Sequence, residues 1–245
     1  MINAYTWLFT LGAFSALFWL WWSGHTSKQL QSTLPAIVRV DAGLFALVVG
    51  ILGARLGYVL MHIHFYARYP GEILKIWNGG LTWVGGALGV IVGLGVYATM
   101  TRHPFWHLAD IMSLPALYLT FILWFGCMLD GCAYGKPSNY GFLTPPLKDS
   151  FGTRTNRWPV QSTGAIFSLF AVVIHDQIQR KKPPEGVIAS ISLAMISAGN
   201  LLLTFFRGDP VPILFGLRAD AVGSSMLFVL SIFSIFYCTR RARKT

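Results

Sequence analysis

Residues 125–136, FGCMLDGCAYGK, gather the densest set of chemically capable side chains in the chain. The stretch begins in an apolar run and ends in a polar loop. Asp130 stands at the junction. A carboxylate at the end of a membrane span costs free energy unless it is paired or wet, so it marks a functional site by default. Such a group can accept a proton in catalysis. Lys136 supplies a cation and Tyr134 a ring with a hydroxyl, while Gly131 and Gly135 permit close backbone approach to a headgroup. Cys127 and Cys132 are nucleophiles if a nearby cation favours the thiolate, or else small fillers of a helix interface. The plainer alternative for the whole stretch is a helix end with a glycine-rich exit turn.

Other groups of the same character are scattered along the chain. Arg55 lies in the second half of an apolar run, flanked by Gly53 and Gly57. An arginine there faces a bundle interior, a water-filled cavity or a headgroup, or else snorkels to the nearer interface. Gly79, Gly80, Gly85 and Gly86 form two glycine pairs bracketing Leu81–Val84. They suit tight helix packing or a backbone lining a cavity. Gln161 opens a further apolar run, and Arg207 and Asp209 close another. The fork of donors on an arginine suits a phosphate.

The elements that must position these groups are membrane spans. Hydrophobic residues make up 54% of the 245-residue chain and charged residues 11%, against about 25% charged in soluble domains. The composition predicts an all-α polytopic transmembrane bundle of about seven spans in one domain, with a polar outer loop at 131–158. The expected spans lie near 5–22, 40–62, 79–100, 105–130, 158–177, 186–206 and 221–238. Pro115 is expected to kink the fourth, and Asp110 near its start reads as an interfacial carboxylate. The net charge of +10 sits between and after apolar runs, where it carries topology and attraction to anionic lipid and gives no nucleic-acid signal. Lys28, Arg39, Arg102, Arg180, Lys181, Lys182 and the tail with Arg240, Arg241, Arg243 and Lys244 favour the inner side, giving N-out and C-in. The groups named above then fall toward the outer leaflet. Three cysteines give no disulfide framework, and the spacing of Cys127 and Cys132 is not that of a zinc site. Neither metal nor cofactor is expected.

Four stretches, in order, resemble the bacterial prolipoprotein diacylglyceryl transferases. They are GARLGYVL at 53–60, PGEILKIWNGGLTWVGGALGV at 70–90 (PxEIxxxWxGGMSFHGGxxGV in that family), GCMLDGCAYGKP at 126–137 (GNFINGExxGRP) and FFRGDP at 205–210 (EFFREPD). WPVQ at 158–161 is similar to the family's HPTQ. The resemblance implies transfer of a diacylglyceryl group from phosphatidylglycerol to a cysteine thiol of a lipoprotein precursor, in the bacterial inner membrane. It implies Asp130 and Arg207 as catalytic groups. Arg55, Gly79, Gly80, Gly85, Gly86, Gly131, Tyr134, Gly135, Lys136, Gln161 and Asp209 would surround the anionic phospholipid. The chain also departs from the pattern. Val84 replaces the family's histidine, Trp124 and Asn200 replace arginines, Cys127 an asparagine, Thr204 a glutamate, and Thr163-Gly164 a Tyr-Glu pair. Two other readings stand beside transfer: a non-catalytic lipid-binding or partner protein on the same scaffold, and a small transporter suggested by glycine-rich, proline-broken spans and intramembrane charge. The absence of an internal repeat weighs against the transporter.

Overall fold

The computed structural model describes residues 4–26 and 34–243. Lys28 and Lys244, assigned above to the inner side, lie outside the described residues. The long helices are α1 (Ala4–Thr26), α2 (Ala36–Met61), α4 (Trp83–Thr101), α5 (Phe105–Asp130), α6 (Val160–Arg180), α7 (Val187–Thr204) and α8 (Ala219–Ala242), with the short α3 (Ile63–Arg68) after α2. Among the described residues, α1, α2, α4, α5, α7 and α8 are long and apolar enough to cross a membrane. The seventh, α6, has the length, but His175, Asp176, Gln177, Gln179 and Arg180 crowd its last turns. The architecture is an all-α membrane bundle, as the composition predicts. Two small antiparallel hairpins complete it: β1 (Pro146–Lys148) with β2 (Arg154–Asn156), and β3 (Ile213–Leu214) with β4 (Leu217–Arg218).

The chain divides into two compact units, one comprising Leu20–Ala109 and the other Met1–Trp19 with Asp110–Thr245. In the first, the buried stripe of α2 runs Ala42, Ala46, Gly50, Ala54, and that of α4 Gly89, Gly93, Ala98. Small side chains every third or fourth residue let two backbones meet, which is how helices associate where lipid removes the hydrophobic drive. The approach is close. A Cβ on Gly53 would stand 2.5 Å from the Gly85 carbonyl oxygen, and one on Gly89 2.5 Å from that of Val49. Large side chains such as Leu44, Val48, Leu52 and Leu56 are turned outward, toward lipid.

In the second unit, α7 and α8 bury serines and glycines: Ser190, Ser197, Gly199, Gly223, Ser224 and Ser231. Most of these hydroxyls return to carbonyls of their own helix, so none is left bare in an apolar setting. Ser190 and Ser234 also bond each other across the pair at 2.7 Å. α5 runs through Pro115 as one helix. Asp110, read above as an interfacial carboxylate, accepts the backbone N–H groups of Gly186 at 2.7 Å and Ala189 at 2.8 Å. It caps α7, meeting donors that a helix start leaves unsatisfied.

The α2–α4 contact makes a direct prediction. Gly53→Val would drive a branched side chain into the backbone of α4, and backbone on both sides cannot yield. Such overpacking is expected to destabilise by roughly 1–3 kcal/mol or more. Nothing lies within 4 Å of a Cβ on Gly95, so Gly95→Ala should be neutral or stabilising by a few tenths of a kcal/mol, about the helix propensity gain. Thermal unfolding of both variants in detergent micelles checks the contrast.

Candidate functional site

Arg55 and the first glycine pair belong to the Leu20–Ala109 unit. Arg55 is buried, and its guanidinium is surrounded by carbonyl oxygens. Nε donates to Ile73 at 2.9 Å, Nη1 to Gly79 at 2.6 Å and Gly80 at 3.0 Å, and Nη2 to Glu72 at 2.6 Å and Lys75 at 3.4 Å. The rings of Tyr58 and Tyr66 stand beside it, 6.0 and 5.3 Å from its central carbon. The fork therefore organises the backbone of residues 72–80, where Gly79 and Gly80 take φ of +83° and +75°. Those are conformations that glycine reaches without strain. A Cβ on Gly80 would lie 2.7 Å from Nη1 of Arg55. Gly85 and Gly86 serve another purpose: they open α4 against α2. The two pairs thus divide into a turn and a packing face.

The remaining predicted residues belong to the second unit. Residues 134–138 form the middle of a small ribbon. Gly135 pairs with Arg207 on one side and Pro137 with Arg157 on the other. The amide N–H of Lys136 donates to Phe206 at 2.8 Å and that of Gly208 to Tyr134 at 2.8 Å, while Trp158 donates to Lys136 at 3.2 Å. Gly135 has no room for a Cβ, which would collide with the Trp158 carbonyl. Alternation along the ribbon sends the Lys136 side chain to the face opposite Arg207. Lys136 is exposed.

Arg207 is the centre of a network of charges. It donates to both carboxylate oxygens of Asp209, from Nε at 2.8 Å and Nη2 at 2.5 Å, and Nη1 lies 3.3 Å from Asp220. Arg218 completes the set. It bonds the Asp209 carbonyl at 2.9 Å, the Asp209 carboxylate at 3.3 Å and Asp220 at 3.2 Å. Burial by itself would lower the Arg207 pKa; the hydrogen bond and charge of Asp209 and the charge of Asp220 more than reverse this and raise it above the ordinary value. Arg207 is a permanent cation.

A second buried pair supports the ribbon. Arg157 donates to Asp149 at 2.8 Å, lies 4.9 Å over the Tyr134 ring and reaches the Gly135 carbonyl at 3.4 Å. Asp149 also receives the N–H groups of Phe151 and Thr153 at 2.9 Å each. Its carbonyl closes over Gly131, which takes φ of +77° and has no room for a Cβ. Neither Arg157, Asp149, Arg218 nor Asp220 was singled out from sequence. The alternation of cations and acids through 148–157 and 207–220 was the available signal.

Asp130 accepts the backbone N–H of Tyr5 at 2.8 Å through Oδ2 and so caps α1. Its Oδ1 has no hydrogen bond among the described residues. Gln161 is buried and donates to the Cys132 carbonyl at 2.8 Å. Cys127 and Cys132 are joined by a disulfide, with Cα atoms 4.6 Å apart. That corrects the expectation of no bridge, and neither sulfur is a free nucleophile in this state. The reason lies in the backbone. Gly131 takes a positive φ, so the chain turns back at the end of α5 and brings a residue five positions on within bonding distance. Cys238 is the remaining, free cysteine and is buried.

Fold and site together define a membrane-embedded helical protein with a charged, backbone-rich platform at the loop ends of its helices. Residues 1–237 match the prolipoprotein diacylglyceryl transferase family. Proteins named phosphatidylglycerol–prolipoprotein diacylglyceryl transferase share 29% identity in Symbiobacterium thermophilum (90% of this chain, 84% of the relative) and 30% in Geobacillus kaustophilus (89% and 82%). One from Dehalococcoides mccartyi shares 23% across all of this chain and 92% of its own length. The chain belongs to this family.

Three of the replaced family positions, Trp124, Gly164 and Asn200, lie together in the second unit. Trp124, in place of an arginine, packs its ring directly on Gly164, which stands in place of a glutamate. Trp124 is part of a buried cluster with Val160, Ala165 and Leu203. Asn200, in place of another arginine, lines the same small cavity as Trp124, together with Thr120 and Ser168. All three are uncharged in this chain, where the resemblance would place charged groups. Trp124→Arg by itself is expected to destabilise by about 3 kcal/mol or more, because it buries an unpaired cation and removes the ring packing. Adding Gly164→Glu should recover a substantial part of that loss. A double-mutant cycle read by denaturant unfolding checks it, and additive losses would refute the coupling.

Proposed function

We propose that the protein transfers a diacylglyceryl group from phosphatidylglycerol to the cysteine thiol of a lipoprotein precursor, at the outer leaflet of the bacterial cytoplasmic membrane. The observation that carries this is the family match along nearly the whole chain, with Arg207 retained as a buried permanent cation. In the reaction the thiol sulfur attacks the glyceryl carbon, the carbon–oxygen bond to phosphate breaks, and glycerol phosphate leaves. The departing phosphate needs a fixed cation, which Arg207 supplies in an orientation set by Asp209 and Asp220. The thiol needs a base, and Asp130 offers Oδ1, which has no hydrogen bond among the described residues. Tyr134, Gly135 and Gly208 build the backbone around Arg207. The Cys127–Cys132 bridge supports the outward orientation of this end, since structural disulfides persist in oxidising compartments. A seven-span, N-out layout, with α6 as one span, agrees with the distribution of basic residues.

A second reading, a lipid-binding descendant without turnover, is favoured by one observation: the uncharged Trp124–Gly164 contact occupies positions where the family has charged groups.

Incubating the purified protein in phosphatidylglycerol-containing vesicles with a cysteine-bearing lipobox peptide separates the two. The expected product is a peptide heavier by one diacylglyceryl group. Arg207→Ala should lower its rate by about 10²-fold or more, the usual effect of removing a positioned charge-stabilising donor. Phosphatidylglycerol that co-purifies with the protein while no adduct forms would overturn transfer and establish the second reading.

A further inference from the structure

The link between α7 and α8, residues 205–218, contains eight consecutive residues, 210–217 (PVPILFGL), without one polar side chain. They do not fold into a core. Ile213 pairs with Arg218 and Leu214 with Leu217, leaving Phe215 and Gly216 as a two-residue turn. Both turn residues have positive φ, +53° and +77°, the mirror-image turn that matches strand twist. Asparagine or aspartate is the usual first residue of such a turn. A phenylalanine there is strained, and strain of this kind persists where surrounding structure or function demands it. Yet Phe215 is 95% exposed, with Ile213 at 71% and Leu217 at 61%. No packing among the described residues rewards the conformation.

We propose that the hairpin tip is a membrane-immersed finger, inserted among the lipids of the leaflet that borders α7 and α8. Its occupant is the lipid surface itself. Four observations carry this. The finger grows directly from two helices long and apolar enough to span a membrane, and its tip is at most about 13 Å from the start of α8 at strand rise, so it cannot leave the neighbourhood of the interface. Its backbone suits an apolar medium: Pro210 and Pro212 carry no N–H, and the Pro212 carbonyl accepts the N–H of Ala219 at 2.9 Å. Open hairpin edges are not tolerated in the hydrocarbon core, so the insertion reaches the boundary of headgroups and acyl chains and goes no deeper. An isolated two-stranded hairpin is marginal in water, whereas here the base is fixed by Arg218, which binds Asp209 and Asp220 across the link. The polarity is also graded, with an apolar tip on a collar of charge formed by Arg207, Asp209, Arg218 and Asp220. Charge belongs at the headgroup level and aromatic side chains just beneath it. The collar therefore sits at the headgroups, and the finger sets the height of Arg207. This inference is independent of whether the protein turns over.

Depth is measured directly. A nitroxide is attached at Phe215→Cys in a Cys238→Ser background and the protein is reconstituted in phosphatidylcholine vesicles. Collision with oxygen, which concentrates in lipid, is compared with collision with a water-soluble nickel chelate. Ile213→Cys provides a second reporter should the first not fold, and Lys181→Cys, in the exposed α6–α7 connection, the aqueous reference. Nickel collision several-fold lower at 213 and 215 than at 181, with oxygen collision higher, is expected. Nickel collision equal to the reference overturns the finger. So does protection that develops only when an apolar lipobox peptide is added, since the tip would then cover a peptide and not lipid.

Discussion

The pairing of two guanidiniums with two carboxylates, Arg207 and Arg218 with Asp209 and Asp220, is the interaction on which the loop ends of α7 and α8 depend. Each charge is largely withdrawn from water, and an isolated charge there would be very costly. The set is electrically balanced, and its geometry is consequential. Asp220 lies in the first turn of α8, where a helix start favours negative charge. Asp209 lies at the far side of the link. Closing the network therefore closes the link, presents the hairpin and brings the strand of Arg207 against that of Gly135. Were any one of the four charges lost, its partners would be left uncompensated, and the ribbon would lose the edge that holds it.

The same physics governs Arg55 with a different partner. There the compensation is made by backbone oxygens: five carbonyls converge on one fork. An irregular segment near a membrane must satisfy its polar backbone without relying on lipid. A buried guanidinium offers five donors in a fixed plane, so a single arginine on α2 can hold the loop at 72–80 in place. The five carbonyls account for the burial of this arginine in a glycine-rich setting.

The spans were legible in the sequence because apolar runs and basic loops are direct statements about the bilayer. The glycine pairs were legible as a group, but their division was not. Gly79–Gly80 and Gly85–Gly86 look alike as residue types, and only the φ angles and the approach of α2 tell turn from packing. The caps were invisible for a different reason. Asp130 meets Tyr5 across 125 positions and Asp110 meets Gly186 across 76. No local pattern encodes such distant partners. Helices apolar on every face also give periodicity little to report, since lipid-facing and buried positions are both nonpolar. The disulfide was not legible because it depends on the helix ending at Asp130 and on the positive φ of Gly131, which the spacing of the two cysteines does not reveal.

The replaced family residues argue for order in the divergence. An arginine changed to tryptophan while a glutamate remained would leave a buried carboxylate without a cation. A glutamate changed to glycine while the arginine remained would leave the opposite fault. Either step by itself is expensive in a low-dielectric interior. Here both positions are neutral, and the ring of Trp124 lies flat against the space that Gly164 leaves open. The adjacent position, Asn200, is neutral as well. Such a set keeps packing and charge balance together in the buried cluster of Trp124, Val160, Ala165 and Leu203. The charged machinery that persists lies elsewhere, in the Arg207 network and the Arg157–Asp149 pair. Those groups hold the loop backbone as well as any ligand, so their removal would undo the fold near the site.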